Sequence, residues 1–240
     1  MAINKNSNSY TFMFAITVVV IVGASLAAVR IGLKPRQDAN VEIKKKMDIL
    51  GALNIECTRL NAVELFNQYI DTNACLILNA EGQEIPGDPF SVDHKKEFKD
   101  KTLPAEQRRY PLFVANIDGE TRYVIPVVGS GLWGPIWGNI ALNADMSTIY
   151  GAKFGHKGET PGLGAEIAQD FYSVQYSVES ISENGVYTKI SSVKDGTGSD
   201  PHKVDGITGG TITSKGVEEM LDRTLQVYVK YFATKTNSNE

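Results

Sequence analysis

The chemistry-bearing residues of this chain concentrate in Asp205-Gly206-Ile207-Thr208-Gly209-Gly210-Thr211-Ile212-Thr213-Ser214, a run with three glycines and three threonines. Glycine lets the backbone turn sharply and lets a bulky group approach it closely. Beyond this run, Val217, Met220, Leu221, Leu225, Tyr228 and Phe232 recur at helical spacing over residues 214–232. A helix N-terminus supplies unpaired N–H groups and the positive end of a dipole, both favourable to a phosphate. A hydroxyl set between the glycines and the helix is well sited to carry one, and Thr208 and Thr211 are the two candidates. A Gly-rich turn closed by a Ser/Thr helix cap would use the same residues without any ligand.

Two further segments are bracketed by glycines. One is Gly129-Ser130-Gly131-Leu132-Trp133-Gly134-Pro135-Ile136-Trp137-Gly138, and the other is Gly155-His156-Lys157-Gly158-Glu159-Thr160-Pro161-Gly162-Leu163-Gly164. An apolar Leu132-Trp133 pair on a glycine-flanked loop suits cover of a planar ring, and ordinary core packing is the alternative. Trp137 reads as core. A Pro-Gly turn would hold Thr160 and Leu163 rigidly. His156 reads as a surface residue.

The first run resembles the (Ser/Thr)-Gly-(Ala/Gly)-Thr flavinylation motif of membrane-bound FMN-binding domains. The other two resemble the Gly-x-Gly-Leu-Trp and Glu-Thr-Pro-Gly-Leu-Gly segments that line the flavin site in the family of C subunits of Na+-translocating NADH:quinone reductases. All three occur in the family's order, after an N-terminal apolar stretch, so the resemblance spans most of the chain. It implies FMN joined through its phosphate to the hydroxyl of Thr211, with Gly209 and Gly210 against that phosphate. Thr208 and Thr213 would donate hydroxyl hydrogen bonds or act as caps. Leu132 and Trp133 would cover a ring face, Thr160 would bond the ring edge, Leu163 would pack on it, and Glu159 would orient the loop. Lys194, whose surroundings match the family poorly, would contact the flavin. Asp205 would fix the loop or be read by the attaching enzyme.

The resemblance further implies electron transfer through covalent FMN between partner redox centres. NADH would bind another subunit, quinone would be reduced elsewhere in the complex, and a separate flavin transferase would attach the flavin. The G subunit of the ferredoxin:NAD+ oxidoreductase complex resembles the same family and is the nearest alternative. A membrane-tethered binding domain without a redox role is the alternative from another class.

Composition excludes several other functions. The 240 residues carry 24 basic and 28 acidic side chains, a net charge of −4, without a basic stripe interleaved with aromatics, so nucleic acid is not an expected partner. Cys57 and Cys75 form no CxxC and read as two buried thiols, with a disulfide between them as the alternative. His94, His156 and His202 are isolated and no carboxylate run has EF-hand or zincin spacing, so no metal is expected. Neither a strand–GxGxxG–helix unit nor a Walker A motif is present, so no Rossmann NAD site is expected on this chain. No nucleophile–base constellation suggests a hydrolase.

The elements that must position these residues follow from periodicity. After a short tail over residues 1–11, residues 12–33 (FMFAITVVVIVGASLAAVRIGL) match the roughly 20 apolar residues of a transmembrane helix. A cleaved signal peptide is the rival, and the run exceeds the ~7–15 residues of a signal core. Arg30, Lys34, Arg36 and Lys44-Lys45-Lys46 follow the helix while Lys5 alone precedes it. That asymmetry would keep the large domain cytoplasmic, whereas the resemblance implies a single-pass inner-membrane protein with the FMN domain on the periplasmic side.

A connecting helix is expected over residues 34–60, renewed after a break at Pro35, and the FMN-binding domain over 61–233, with a polar tail over 234–240. Within the domain, helix is expected over 61–69, 146–151 and 214–232, and helix or irregular backbone over 167–171. Strands are expected over 75–79, 112–117, 121–128, 136–143, 172–181 and 186–193, with turns at Glu81-Gly82, Asp118-Gly119 and Glu183-Asn184-Gly185. Residues 90–103 read as a charged surface excursion. The sum is an α+β protein: one N-terminal transmembrane helix, then a mixed helix and antiparallel-sheet FMN-binding domain.

Overall fold

The structure, a computed structural model, describes residues 7–237, with side chains as far as residue 235. Lys5 and the outer parts of both expected tails lie outside the described residues. The chain divides between Lys45 and Lys46 into two units.

The first unit consists of helix α1 (Asn8–Ala52) up to its Lys45. The helix is long and apolar enough to cross a membrane, with a mean hydropathy of 2.6 over its best window. Phe12, Ile16, Val19, Val20, Leu26 and Ile31 are all exposed. A helix that is apolar and exposed over residues 12–29 is stable there in lipid rather than in water. The break expected at Pro35 is absent: α1 runs through it unbroken.

The second unit is built on a six-stranded sheet of order β2-β1-β3-β4-β5-β6, with neighbouring strands antiparallel throughout. The strands are β1 (Leu76–Leu78), β2 (Glu84–Ile85), β3 (Tyr110–Ile117), β4 (Glu120–Ser130), β5 (Pro135–Leu142) and β6 (Ile149–His156). Asp118 and Gly119 join β3 to β4 with φ of 53° and 84°, the double left-handed geometry of a tight hairpin. Both faces of the sheet are covered, so the central strands read as continuous apolar runs rather than clean alternations. On one face Phe113, Ala115, Val124 and Ala141 meet Ile49 and Leu50 from the end of α1, Leu53 just past it, and Phe66 of α2 (Ala62–Tyr69). Compact packing therefore begins within the segment read from sequence as a connecting helix.

On the other face Ile125, Val127, Ile136, Ile140 and Leu142 meet Val217, Met220, Leu221, Leu225 and Tyr228 of the C-terminal helix. That helix, numbered below, spans Thr211–Asn237. It lies so close to β4 that a Cβ on Gly216 would stand 2.3 Å from the Ser130 carbonyl oxygen, and one on Gly129 would stand 2.8 Å from Met220 Cβ. The fully buried Tyr228 hydroxyl donates to the Pro111 carbonyl at 2.8 Å.

The excursion over residues 90–103 is anchored at one end. Phe90 packs edge-on to Phe66 and tilted against Phe113, and helix α3 (His94–Lys99) is capped by the Asp93 carboxylate. Trp137 is half-buried rather than core: Lys95 Nζ sits 3.2 Å from its ring centroid. Cys57 and Cys75 are half-buried, and burial pushes the Cys75 thiol up to about 11.

Three of the domain's expected helices and strands fail. Residues 146–151 are not helical, because the Asp145 carboxylate accepts from Ser147 and Thr148 N–H and turns the chain directly into β6. Residues 172–181 are not a strand. They continue the short helix α4 (Asp170–Ser173) through a 3-10 turn (Val174–Tyr176), because Tyr172 and Tyr176, one helical turn apart, are the residues that go inside. The strand expected over 186–193 is split. β7 (Ser182–Glu183) and β8 (Val186–Tyr187) close a hairpin on Asn184 and Gly185, while β9 (Ser191–Val193) pairs in parallel with β10 (Lys203–Asp205). The chain ends in α5 (Thr211–Asn237).

Gly216→Ala is expected to lower stability by roughly 1–3 kcal/mol, the usual cost of forcing an atom into a filled contact. A thermal melt of the variant against the parent measures it.

Candidate functional site

The three glycine-bracketed segments converge on one carboxylate. Glu159, only 4 % exposed, accepts the Trp133 backbone N–H on Oε1 at 2.8 Å and the Thr213 hydroxyl on Oε2 at 2.6 Å. Its own N–H donates to His156 Nδ1 at 3.1 Å. The β4–β5 loop, the loop after β6 and the first turn of α5 are thereby locked together. The lock leaves no space for side chains at the crossing points. A Cβ on Gly131 would stand 2.6 Å from Glu159 Oε1, and one on Gly164 would stand 2.5 Å from Thr213 Oγ1. Gly209, at φ 73°, faces Leu163 so closely that a Cβ would stand 2.6 Å from its Cδ2.

Thr211 is the first residue of α5 and is partly exposed. The Ser214 N–H makes the helix's first bond, to the Gly210 carbonyl at 2.9 Å. The N–H groups of Thr211, Ile212 and Thr213 precede it and have no partner within the helix. The three segments expose four apolar side chains, one or more from each: Leu132, Trp133 (69 % exposed), Leu163 and Ile212.

The approach to α5 is held from behind. Ile207 N–H donates to Ser214 Oγ at 2.9 Å and Gly206 N–H to the Val193 carbonyl at 2.8 Å. Glu218 on α5 accepts Ser192 N–H at 2.8 Å, Lys215 Nζ at 2.6 Å and Lys189 Nζ at 2.8 Å. Burial raises the Glu218 carboxyl, but these hydrogen bonds outweigh it and hold the group below its ordinary value. Beneath the loop, Tyr172 and Tyr176 share a hydroxyl bond at 3.0 Å. Desolvation pushes Tyr172 up to about 12.

The structure thus brings together Leu132, Trp133, Glu159, Leu163, Gly209, Gly210 and Thr211. Thr208 is exposed in the turn before Gly210, and Thr160 is exposed with its carbonyl accepting from Leu163 and Ala165 N–H. Lys194 is exposed just past β9, one residue beyond the carbonyl that binds Gly206. Thr213 and Ser214 are buried and their hydroxyls face the protein. Sequence reading missed Ile212. Its signal was an apolar residue in the first helical turn, off the buried stripe that runs Val217, Met220, Leu221.

The antiparallel sheet, the glycine-lined seat and the hydroxyl at the start of a helix together define an FMN-binding domain, and residues 131–226 match that family. The C subunit of the Na(+)-translocating NADH-quinone reductase of Vibrio vulnificus (strain YJ016) is 31 % identical over 225 residues, covering 85 % of this chain and 87 % of that protein. The solved structure of the corresponding C subunit from Parabacteroides distasonis has a TM-score of 0.74 at 40 % identity, covering 83 % of this chain and 96 % of that one. NqrC of Shewanella oneidensis, at 21 % identity and a TM-score of 0.63, shares the fold over 80 % of this chain and 98 % of its own. The chain belongs to the family of C subunits of Na(+)-translocating NADH-quinone reductases.

Glu159→Ala is expected to cost about 2–3 kcal/mol, because the buried Thr213 hydroxyl and the Trp133 N–H lose their acceptor; Glu159→Gln, which keeps an acceptor oxygen, is expected to cost less. Chemical denaturation of both variants separates the two. Glu218 predicts a pH effect. Its folded value lies below the unfolded 4.5, so its stabilisation is complete above about pH 4.5 and disappears as pH falls through the folded value. Comparing thermal midpoints at pH 7 and pH 4, Glu218→Gln is expected to show the smaller drop.

Proposed function

We propose that this chain is the electron-carrying subunit of a membrane Na+-translocating NADH:quinone oxidoreductase, working through FMN joined by its phosphate to Thr211. The carrying observation is a hydroxyl on the first residue of α5, beside N–H groups that have no partner within the helix, in a first turn that Glu159 locks to two segments exposing apolar side chains. The residues present fit FMN. Gly209 and Gly210 leave the backbone bare beside Thr211. The first N–H groups of α5 favour a phosphodiester's negative charge. Leu132, Trp133, Leu163 and Ile212 offer apolar faces to a planar ring. Thr211 suits this geometry better than Thr208, which sits in the turn before the helix. When bound, the flavin supplies the electron transfer, and the protein's part is to hold and orient it.

Attachment replaces the Thr211 O–H bond by an O–P bond, while a bond from phosphorus to a leaving group breaks in a flavin dinucleotide donor. A base must take the hydroxyl proton. Among the described residues no side chain hydrogen-bonds Thr211 Oγ, and the nearby Glu159 carboxylate already accepts from Trp133 and Thr213. The base therefore comes from a separate flavin transferase. Thr160 and Lys194, both exposed, are assigned to the rim of the bound flavin.

Helix α1 anchors the chain in the membrane beside the other subunits, and the FMN domain is assigned to the periplasmic side on the family likeness. The relatives named as C subunits of the sodium-translocating reductase support this reading over the G subunit of a ferredoxin:NAD+ oxidoreductase and over a non-redox tether.

Peptide mass spectrometry on protein produced with its flavin transferase is expected to find FMN mass on the Thr211 peptide and none in Thr211→Ala. An unmodified parent, with the transferase active on a control, would sink the covalent reading. For the orientation, a C-terminal reporter active only in the cytoplasm is expected to stay silent.

A further inference from the structure

The sheet forks beside β4. β3 and β4 pair from Ile117↔Glu120 up to Phe113↔Val124, but over Tyr110–Leu112 β3 pairs with β1 alone, while β4 runs on beside β5 to Ser130. Backbone groups at such a fork must find other partners. Arg223 of α5 donates Nη2 to the Val128 carbonyl at 2.7 Å, and Pro126 has no N–H to leave unpaired.

A cavity of about 30 Å³ lies in the fork, with Phe98, Arg108, Arg109, Arg223 and Thr224 in its lining. Its charged lining is three arginines and one carboxylate, Glu97, with His94 beside them. Glu97 is committed to Arg109, accepting its Nη2 at 2.6 Å, its Nε at 2.7 Å and its backbone N–H at 3.0 Å. Arg223 pairs through Nε with Glu219 at 2.8 Å. Arg108 is different. Its Nε is buried without a hydrogen-bond partner, and among the described residues no carboxylate pairs with its guanidinium. The Phe98 ring lies under two of the guanidiniums, its centroid 5.8 Å from Arg108 Cζ and 4.7 Å from Arg223 Cζ. A ring face attracts a cation but carries no net charge. Thr224 is 4 % exposed, and its hydroxyl bonds to no described residue.

An arginine drawn partly out of water without a countercharge is costly, and an anion beside it removes much of that cost. Water would satisfy the N–H groups and leave the charge as it was.

We propose that the fork is a binding site for one small monovalent anion of chloride's size, held by Arg108 with Arg223 and the Thr224 hydroxyl beside it. A single water needs roughly 10–15 Å³ of such space, so the cavity admits a halide or the head of a carboxylate but not a phosphate ester. Of these two, a free ion needs less room on entry than a side chain that brings its own backbone with it. The lining comes from α3, the residues leading into β3, β4 and α5. Bound there, the ion pins the charged excursion over residues 90–103 to α5.

The test melts the full-length, detergent-solubilised chain in sodium chloride and in sodium gluconate at equal concentration, gluconate being too large for the cavity. The parent's midpoint is expected to rise saturably with chloride, by roughly 2–5 °C at about 150 mM. Arg108→Gln, which removes the charge and keeps much of the length, is expected to lose that rise. In gluconate it is expected to melt no lower than the parent, whose charge stays uncompensated there. Arg108→Lys is expected to retain part of the rise. Crystals of the full-length chain grown in sodium bromide locate the ion without any variant, and an anomalous peak beside Arg108 is expected. An equal chloride response in parent and Arg108→Gln overturns the proposal. So does a pocket that holds only water in the bromide crystals, or one filled by an acidic side chain of a neighbouring subunit in the assembled reductase. A bromide peak with no chloride effect on the parent's midpoint marks an adventitious ion only and overturns it too.

Discussion

A buried carboxylate must be paired, and Glu159 meets that requirement with an N–H 26 residues before it and a hydroxyl 54 residues after it. Leaving either donor or acceptor alone inside the protein would cost more than the bond itself contributes. The three segments are therefore held in one arrangement or not at all. Gly131 and Gly164 belong to the same constraint, since a side chain at either would occupy the space of the carboxylate or of the hydroxyl it accepts. With Thr213 turned inward to Glu159 and Ser214 turned inward to Ile207, the neighbouring Thr211 is left partly exposed at the start of α5. The residue proposed to carry the flavin is selected by which of its neighbours the fold has already engaged.

That arrangement depends in turn on where α5 lies. The helix is seated on the sheet through bare backbone at Gly129 and Gly216, and is held sideways by Glu218 to the parallel pair β9 and β10. The sheet fixes the other two segments directly, since one is the β4–β5 connection and the other leaves the end of β6. Pairing of β4 with β5 continues to Ser130 and Pro135, and β5 pairs with β6 up to His156. The loops thus leave a rigid edge at neighbouring points. A site built this way holds its apolar residues in place before any ligand arrives, which lowers the ordering cost of binding.

Much of this was legible from residue types alone. The Asp118-Gly119 hairpin, the apolar stripe of α5 and the three glycine-bracketed segments each carry a local signal that tertiary packing reinforces. What was not legible were the choices between equivalent local readings. Tyr172, Val174, Tyr176 and Val178 alternate as a strand would, yet the two tyrosines also stand one helical turn apart, and the buried hydroxyl pair decided for helix. The parallel pairing of β9 with β10 joins residues separated by a loop and leaves no periodic trace. Thr213 looked equivalent to Thr208 because its partner, Glu159, lies on a different segment.

The exposure pattern bears on why a flavin here would be covalent. Noncovalent cofactor sites enclose most of their ligand within an apolar cleft. The apolar side chains proposed to seat the ring are instead open to solvent, Trp133 above all. Such a platform would leave much of a planar ring accessible, which suits passage of electrons to and from partners but gives little hold. Burial that would secure the ring would also obstruct its exchange partners. On the proposed reading the bond to Thr211 separates the two demands: the phosphodiester and the N–H groups of α5 retain the group, and the apolar side chains need only to orient it.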